Sequence, residues 1–371
     1  MEKPKKPQIF DSEDQSPNAS RIVNAYDGSI KELFFIENPH LKKEMPQAKE
    51  HLEAFVASEG NGLKPLWIYY PWRDTLVKSV DEETYFRIRT ARNRNIIRDD
   101  EQKKYRDLKI GIAGLSVGSA TLSNLVQNGG PKYLRIADFD ALEVTNLNRI
   151  KATLLDVGTN KAWIAAMNVW ELDPFAEIDL WDAGVNKDNL EDFITKTPKL
   201  DIVVDAMDSL DLKIMTRLIC KQHKIPVIMG TDIEDGFILD VERYDLEPDR
   251  PILHGLVGDM KMEDLQNLDF KEWMKLATKI VGPDYLPARM RESLLNMGKT
   301  VTAVPQMGPS SQITGAAACY AIRKLAAGEN MPSGRYNFDL QEKLVPGYME
   351  PDQIEIRQKQ TEEFKAEFAK K

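Results

Sequence analysis

Between residues 138 and 161 the sequence concentrates side chains suited to phosphate chemistry. Asp138-Phe139-Asp140 comes first, then Asn146, Asn148 and Arg149, then Lys161. A guanidinium grips two phosphate oxygens at once and an ammonium adds a point charge. Side-chain amides can orient the same oxygens, and carboxylates at a strand end suit ribose hydroxyls. Further on, Asp208 in Asp205-Ala206-Met207-Asp208-Ser209 offers the hard carboxylate oxygen that Mg²⁺ prefers. Each residue also has a plain reading. Strand-end acids are often solvated, a lysine is often a surface charge, and Asp208-Ser209 suits a helix N-cap. Their co-occurrence is what favours a ligand.

Such residues need a frame. Lys109–Ala113 reads as a strand that enters Gly114-Leu115-Ser116-Val117-Gly118-Ser119 and then a helix. Small residues there let backbone approach a phosphate at the helix N-terminus. Against the pattern G-x-G-x-x-G, Ala113 and Leu115 stand in place of two glycines and Gly118 remains. Alone, this turn equally describes a βα connection with no ligand. Asp138 follows Gly118 by 20 residues, at the end of a strand over 133–137. That is the spacing of a ribose-binding acid.

From Leu108 onward strands and helices alternate. The strands are read at 109–113, 133–137, 177–181, 201–205, 226–229 and 237–244, and the helices at 117–128, 159–172, 187–195 and 209–222. The expectation is an α/β fold, a doubly wound, Rossmann-like, mostly parallel sheet over 86–245. Residues 1–85 read as a small α+β module. It has a flexible polar arm (1–20), helical spacing within 28–58, a hairpin turning near Pro71–Asp74, and a helix opened by Asp81. Residues 246–300 read as a helical insertion, 301–330 as a closing helix rich in Ala and Gly, and 331–371 as a charged tail.

Composition narrows the classes. A net charge of −9 over 371 residues argues against a general nucleic-acid binder. No apolar run has the length of a membrane span, and the polar start lacks a signal-peptide core, so a cytoplasmic location is expected. Two cysteines, Cys220 and Cys319, cannot build a disulfide framework or a four-cysteine zinc site, and no zinc is expected.

Taken together, 109–245 resembles the adenylating domain of the ThiF/MoeB/HesA and ubiquitin-activating enzyme superfamily. The likeness rests on Asp138-Phe139-Asp140, Thr145-Asn146-Leu147-Asn148-Arg149, Lys161 and Asp208. It extends to 301–327 and upstream to Arg92-Asn93-Arg94-Asn95-Ile96-Ile97. The resemblance implies ATP and Mg²⁺, and a substrate carboxylate attacking the α-phosphate to give an acyl-adenylate and pyrophosphate. It implies phosphate binding by Arg149, Lys161 and Arg94, the last acting in trans within a homodimer. Asn146 and Asn148 would orient phosphates. Asp138 would hold ribose beside Asp140, and Asp208 would hold Mg²⁺. The backbone at Gly114, Ser116 and Gly118 would pass close to the nucleotide. The implied substrate is a peptide or a ubiquitin-like protein, with peptide-maturing members of the microcin C and pantocin type, makers of peptide antibiotics, among the candidates.

Within that resemblance the module 1–85 either clamps a peptide along the edge of a strand at Trp67–Tyr70 or serves as a packing or dimerisation element. The insertion, with His254 and Trp273, reads as a lid, although His254 equally reads as a plain loop residue. The chain lacks the CxxC pairs of many members, and both cysteines read as small buried apolar residues rather than thioester nucleophiles. Two other classes remain. An NAD-dependent oxidoreductase suits the turn and Asp138 but not the Asn/Arg/Lys cluster or the supply of only four histidines. A non-catalytic partner of an adenylating enzyme is disfavoured by the joint presence of Arg149, Lys161 and Asp208.

Overall fold

The computed structural model describes residues 2–258, 260, 261, 264 and 270–368. At the N-terminus, β1 (Gln8–Phe10), β2 (Arg21–Asn24), α1 (Tyr26–Glu37), α2 (Pro46–Ala57), β3 (Leu66–Tyr70), β4 (Thr75–Ser79) and α3 (Glu82–Arg89) make one unit. The hairpin forms as its sequence suggests. Tyr70 pairs with Thr75, Asp74 takes φ +42° at the turn, and Asp81 caps α3 by accepting from the Thr84 amide at 3.0 Å. Two expectations fail here. The polar arm is not loose, because β1 pairs with β3, and Lys3 bonds Asp182 at 2.7 Å. The sheet order β1-β3-β4-β2 also makes Trp67–Tyr70 a central strand, so the free edges belong to β1 and β2.

Charge ties this unit to the larger sheet. Asp173 is buried and receives both Arg89 (2.8 Å) and Arg106 (3.2 Å), while Glu171 receives Trp72 Nε1 and Arg73. A buried carboxylate with two hydrogen-bonded guanidiniums satisfies the demand that buried charge be paired.

The second sheet is built from α4 (Asp99–Asp107), β5 (Lys109–Ala113), α5 (Val117–Gln127), β6 (Tyr133–Ala137), α6 (Lys161–Leu172), β7 (Glu177–Trp181), α7 (Leu190–Thr195), β8 (Ile202–Asp205), α8 (Leu210–His223), β9 (Val227–Ile233) and β10 (Gly236–Glu242). After α9 (Phe270–Val281) and α10 (Ala288–Leu295) come α11 (Gly308–Ala327), β11 (Gly334–Asp339) and α12 (Pro351–Phe368). Seven strands run in the order β11-β10-β9-β8-β5-β6-β7. From β9 to β7 the neighbours are parallel, and β10 and β11 are antiparallel additions. This is the expected doubly wound sheet. Its parallel strands read as apolar runs because helices cover both faces. Ile110, Ile112, Ile136 and Val204 pack under α5, α6 and α11, while Ala113, Val203 and Val227 pack with α7 and α8. The chain leaves β5 for β6 on one side and returns to β8 on the other. The crevice at the carboxyl ends of β5 and β8 is therefore a topological switch point.

The charged tail is also more than a tail. Gly334–Asp339 extends the sheet at its edge, and α12 buries Phe364 against Ile233, Ile238 and Leu286. In the insertion, α9 and α10 are helical as expected, but residues 259, 262–263 and 265–269, and the Trp273 side chain, lie outside the described residues. His254 does not reach the switch-point crevice. Its Nδ1 accepts from Arg250 at 2.9 Å, and its Nε2 lies 3.0 Å from Asp240 of β10. Beneath it, fully buried Arg217 bridges Asp205 and Glu242 (2.8 Å to Glu242), and Glu242 also accepts from the Leu253 amide at 2.7 Å. No helix among the described residues is long and apolar enough to cross a membrane.

Candidate active site

The turn after β5 depends on one glycine. Gly114 has φ +88°, and a Cβ there would sit 2.3 Å from the Ala206 carbonyl oxygen. Only glycine tolerates both conditions. The turn is fastened to the end of β6 by Asp138, whose two carboxylate oxygens accept the amides of Leu115 (2.7 Å) and Asp140 (2.9 Å). Burial pushes the Asp138 carboxyl up, and those two amides oppose the rise. Gly118 has a different duty. A Cβ there would press Ile112 (3.0 Å) and Ala206 (3.1 Å), so it lets α5 seat on the sheet and is not part of the cavity wall.

Ser116 opens α5, and its Oγ accepts from Arg149 Nε at 3.0 Å. The loop that delivers Arg149 is braced by the two asparagines. Asn146 is buried, and its Oδ1 accepts the Glu143 amide at 3.0 Å, closing the short 3₁₀ turn at 144–146. Asn148 Oδ1 accepts from Arg149 Nη1 at 2.9 Å, and its Nδ2 donates to the Gln306 carbonyl at 2.8 Å. Neither amide lines the cavity; Asn148 bonds the Arg149 guanidinium directly, and Asn146 braces the turn that precedes it. Burial pulls the Arg149 pKa down, and the fields of Asp232 and Asp208 counter it.

Lys161 is the first residue of α6 and is largely buried. The helix is capped one residue earlier, by Asn160 accepting from Ala162 (2.9 Å) and Trp163 (3.2 Å). The ammonium rests on Asp140 at 2.8 Å. At the end of β8 the cap is Ser209, whose Oγ accepts from Leu212 at 3.4 Å, which leaves the exposed Asp208 carboxylate directed to the crevice wall.

These groups meet around a cavity of about 400 Å³, of the size that takes a small ligand. Its charged lining residues are Asp138, Asp140, Arg149, Lys161 and Asp208. Its apolar lining includes Phe139, Val185, Met207 and Leu212, and Ala303, Val304 and Gln306 also border it. The lining thus offers groups for charged oxygens and apolar surface for a flat aromatic group. The structure thus brings Gly114, Ser116, Asp138, Asp140, Arg149, Lys161 and Asp208 together. Arg94 lies elsewhere in the chain, exposed, 3.9 Å from a still more exposed Asp99. It borders a separate groove with Lys31, Lys43, Lys49 and Arg92.

Cys220 and Cys319 are buried free thiols, and burial pushes both up, away from thiolate chemistry. Sequence reading missed Asp232, a buried carboxylate near the end of β9 whose field acts on Arg149. Nothing in Gly230-Thr231-Asp232 marks it, because the segment falls beyond the strand read at 226–229, which the structure extends to Ile233. It also missed the 303–306 wall, which has no pattern of its own.

Comparison with known proteins agrees with this geometry. The sequence profile of the ThiF family matches residues 90–347. The chain is 36% identical over 274 residues to "Uncharacterized protein MT1398" of Mycobacterium tuberculosis (strain CDC 1551 / Oshkosh), covering 74% of this chain and 38% of that protein. It is 26% identical over 157 residues to the ubiquitin-like modifier-activating enzyme 5 of Drosophila willistoni, covering 39% of this chain and 38% of the relative. The chain thus spans well under half the length of the curated relatives it matches. Among solved structures, PaaA superposes with a TM-score of 0.48 at 18% identity, covering 84% of this chain and 96% of that one. With a family profile that runs from before α4 to beyond β11 and takes in every wall of the cavity, the chain belongs to the ThiF family.

Proposed function

We propose that the chain is an ATP-dependent adenylating enzyme that activates a carboxylate on a peptide or small ubiquitin-like protein. The observation that carries this reading is the convergence of Arg149, Lys161, Asp208 and Asp138 on one cavity at the sheet's switch point. A carboxylate and a triphosphate repel each other, so catalysis here means positioning and charge neutralisation.

The roles follow from the geometry. Arg149, pre-set by Ser116 and Asn148, and Lys161, released from Asp140, would take the phosphate oxygens. Asp138 would hold the ribose with the acceptor capacity left beyond its two backbone bonds. The apolar wall around Phe139 and Leu212 would take the base. Asp208 would hold Mg²⁺, which neutralises the phosphates when bound. No cluster of three or more metal-binding side chains occurs among the described residues, so phosphates and water would complete the shell. The bond formed joins a substrate carboxylate oxygen to the α-phosphorus, and the bond broken releases pyrophosphate. Arg94, remote from its own cavity, would serve a second copy in a homodimer. The likeness to a ubiquitin-like modifier-activating enzyme supports a protein or peptide carboxylate. The exposed strand β2, Arg21–Asn24, is the edge on which an extended peptide would pair.

The test is ATP–pyrophosphate exchange with candidate peptides and small carrier proteins. Exchange that needs Mg²⁺ and a carboxylate partner, and that Arg149→Gln abolishes, is the expected result. MgATP binding that is absent, or that is indifferent to Arg149→Gln, would sink the reading.

A further inference from the structure

Helix α1 carries more apolar surface than its core stripe needs. Tyr26, Ile30, Leu33 and Phe34, spaced at helical intervals, are buried. Phe35 and Ile36 fall outside that stripe and are only half-buried. They line a cleft of about 910 Å³ together with Leu52 of α2 and Ile88 of α3. That volume lies in the upper range of ligand clefts. No residue of the nucleotide cavity borders it.

The charged lining is one-sided. Lys31, Lys43, Lys49, Arg92 and Arg94 are all exposed, and the one acid among the described lining residues is Glu32. The cations come from four segments: α1, its connection to α2, α2 itself and the chain after α3. Among the described residues, Lys31, Lys49 and Arg92 make no ion pair. Lys43 rests over the Phe35 ring at 5.7 Å, and Arg94 reaches Asp99 only at 3.9 Å. Glu37, at the end of α1, is engaged by Arg87 at 2.7 Å. A solvated face usually mixes signs, because like charges set side by side repel. Five cations beside apolar side chains, in a chain of net charge −9, are a local inversion of the protein's field.

We propose that this cleft docks an acidic, amphipathic segment of a partner polypeptide. Its carboxylates meet the lysines and arginines, and its apolar side chains cover Phe35, Ile36, Leu52 and Ile88. Cations spread over four segments suit several carboxylates along a chain better than one small anion. The charges select the partner's sign and speed the encounter, while the apolar contacts supply buried area. Nucleic acid suits the cleft less well. The aliphatic lining gives bases little to stack on, and the chain as a whole is acidic. Docking here does not depend on the adenylating function proposed above, so either can fail while the other stands.

The test uses the full chain to select from random peptides, followed by fluorescence anisotropy of the enriched peptides and their controls. Enriched sequences should combine Asp or Glu with Leu, Ile or Phe. Their binding should weaken several-fold as salt rises from about 0.01 to 0.15 M. The same peptides with Lys for each acid, or Ser for each apolar residue, should not bind. Lys31→Glu/Lys49→Glu should weaken binding by about tenfold or more, and leave thermal melt, MgATP binding and sedimentation unchanged. No enrichment, enrichment of peptides without acids, or binding indifferent to the charge reversal would overturn the proposal. So would tighter binding of single-stranded RNA that the same variant abolishes, which would assign the cleft to nucleic acid. A variant that changes the chain's self-association would overturn it too, by making the cleft an interface between copies. If the charge reversal does not fold, Lys31→Gln/Lys49→Gln decides by the same readouts, with a smaller loss expected.

Discussion

Replacing Asp232 by asparagine should stabilise the protein, and the gain should depend on pH in a way that can be worked out beforehand. The carboxyl stands at about 6 in the folded chain against an ordinary 3.8, and it is 7% exposed, so solvent screening takes little away. The raised value means that the folded state prefers the protonated form. That preference adds stability fully below 3.8 and is lost as pH rises through 6. Above pH 6 the wild type therefore carries the whole penalty of a buried, unpaired charge, about 3 kcal/mol for a gap of roughly two units. The variant carries none of it, and its amide can also donate to the orphaned Ser311 hydroxyl. Urea unfolding at pH 7.5 should show Asp232→Asn more stable by up to about 3 kcal/mol, and at pH 5 by about half of that. In a thermal melt at pH 7.5 the shift should be about 4 °C, given the entropy of unfolding a chain of this size. A variant that is less stable at pH 7.5, or a gap of constant size across pH, would refute the reasoning.

Other outcomes follow from the geometry. Gly114→Ala places a Cβ 2.3 Å from the Ala206 carbonyl at a positive φ, so it should lose about 2 kcal/mol or more of stability and most MgATP affinity, read by thermal melt and titration. Arg217→Met leaves Asp205 to Lys213 alone and Glu242 without a cation in the core, and should destabilise by about 3–5 kcal/mol. The double variant Cys220→Ser/Cys319→Ser should keep full ATP–pyrophosphate exchange. Both wild-type thiols should react with a chromogenic disulfide only as the protein unfolds, and rapid labelling of the native chain at pH 7 would reopen the thioester route.

The central strands and their helices were legible in the sequence because the physics there is local and redundant. Ile110, Ile112, Ile136, Val203 and Val204 form short apolar runs, each followed by a turn residue and an amphipathic helix. The elements that escaped are those whose existence depends on distant partners. Gln8–Phe10 and Arg21–Asn24 are short and largely exposed, and they are strands only because β3 and β4 stand ready to pair. Gly334–Asp339 looks polar because it is an edge strand. Within the site, the cluster from Asp138 to Lys161 was readable as a group, but the direction of each side chain was not. Asn146 and Asn148 have the right chemistry for phosphates, yet the Asn146 oxygen and both ends of the Asn148 amide are already bonded within the protein, and residue type carries no trace of that. Asp232 was invisible because its meaning comes from α11 and Arg149, both remote in sequence.

The hydrogen bond from Asn148 to the Gln306 carbonyl joins the loop that carries Arg149 to one side of the cavity, and Gly308 lets the two backbones meet, since a Cβ there would lie 2.4 Å from the Asn148 oxygen. The side of the cavity and the cation inside it are therefore one mechanical part. Any displacement of residues 303–306 therefore pulls on the same asparagine that bonds the guanidinium. The insertion at 246–300 feeds directly into this segment, so a shift of its helices reaches the Arg149 loop through Asn148.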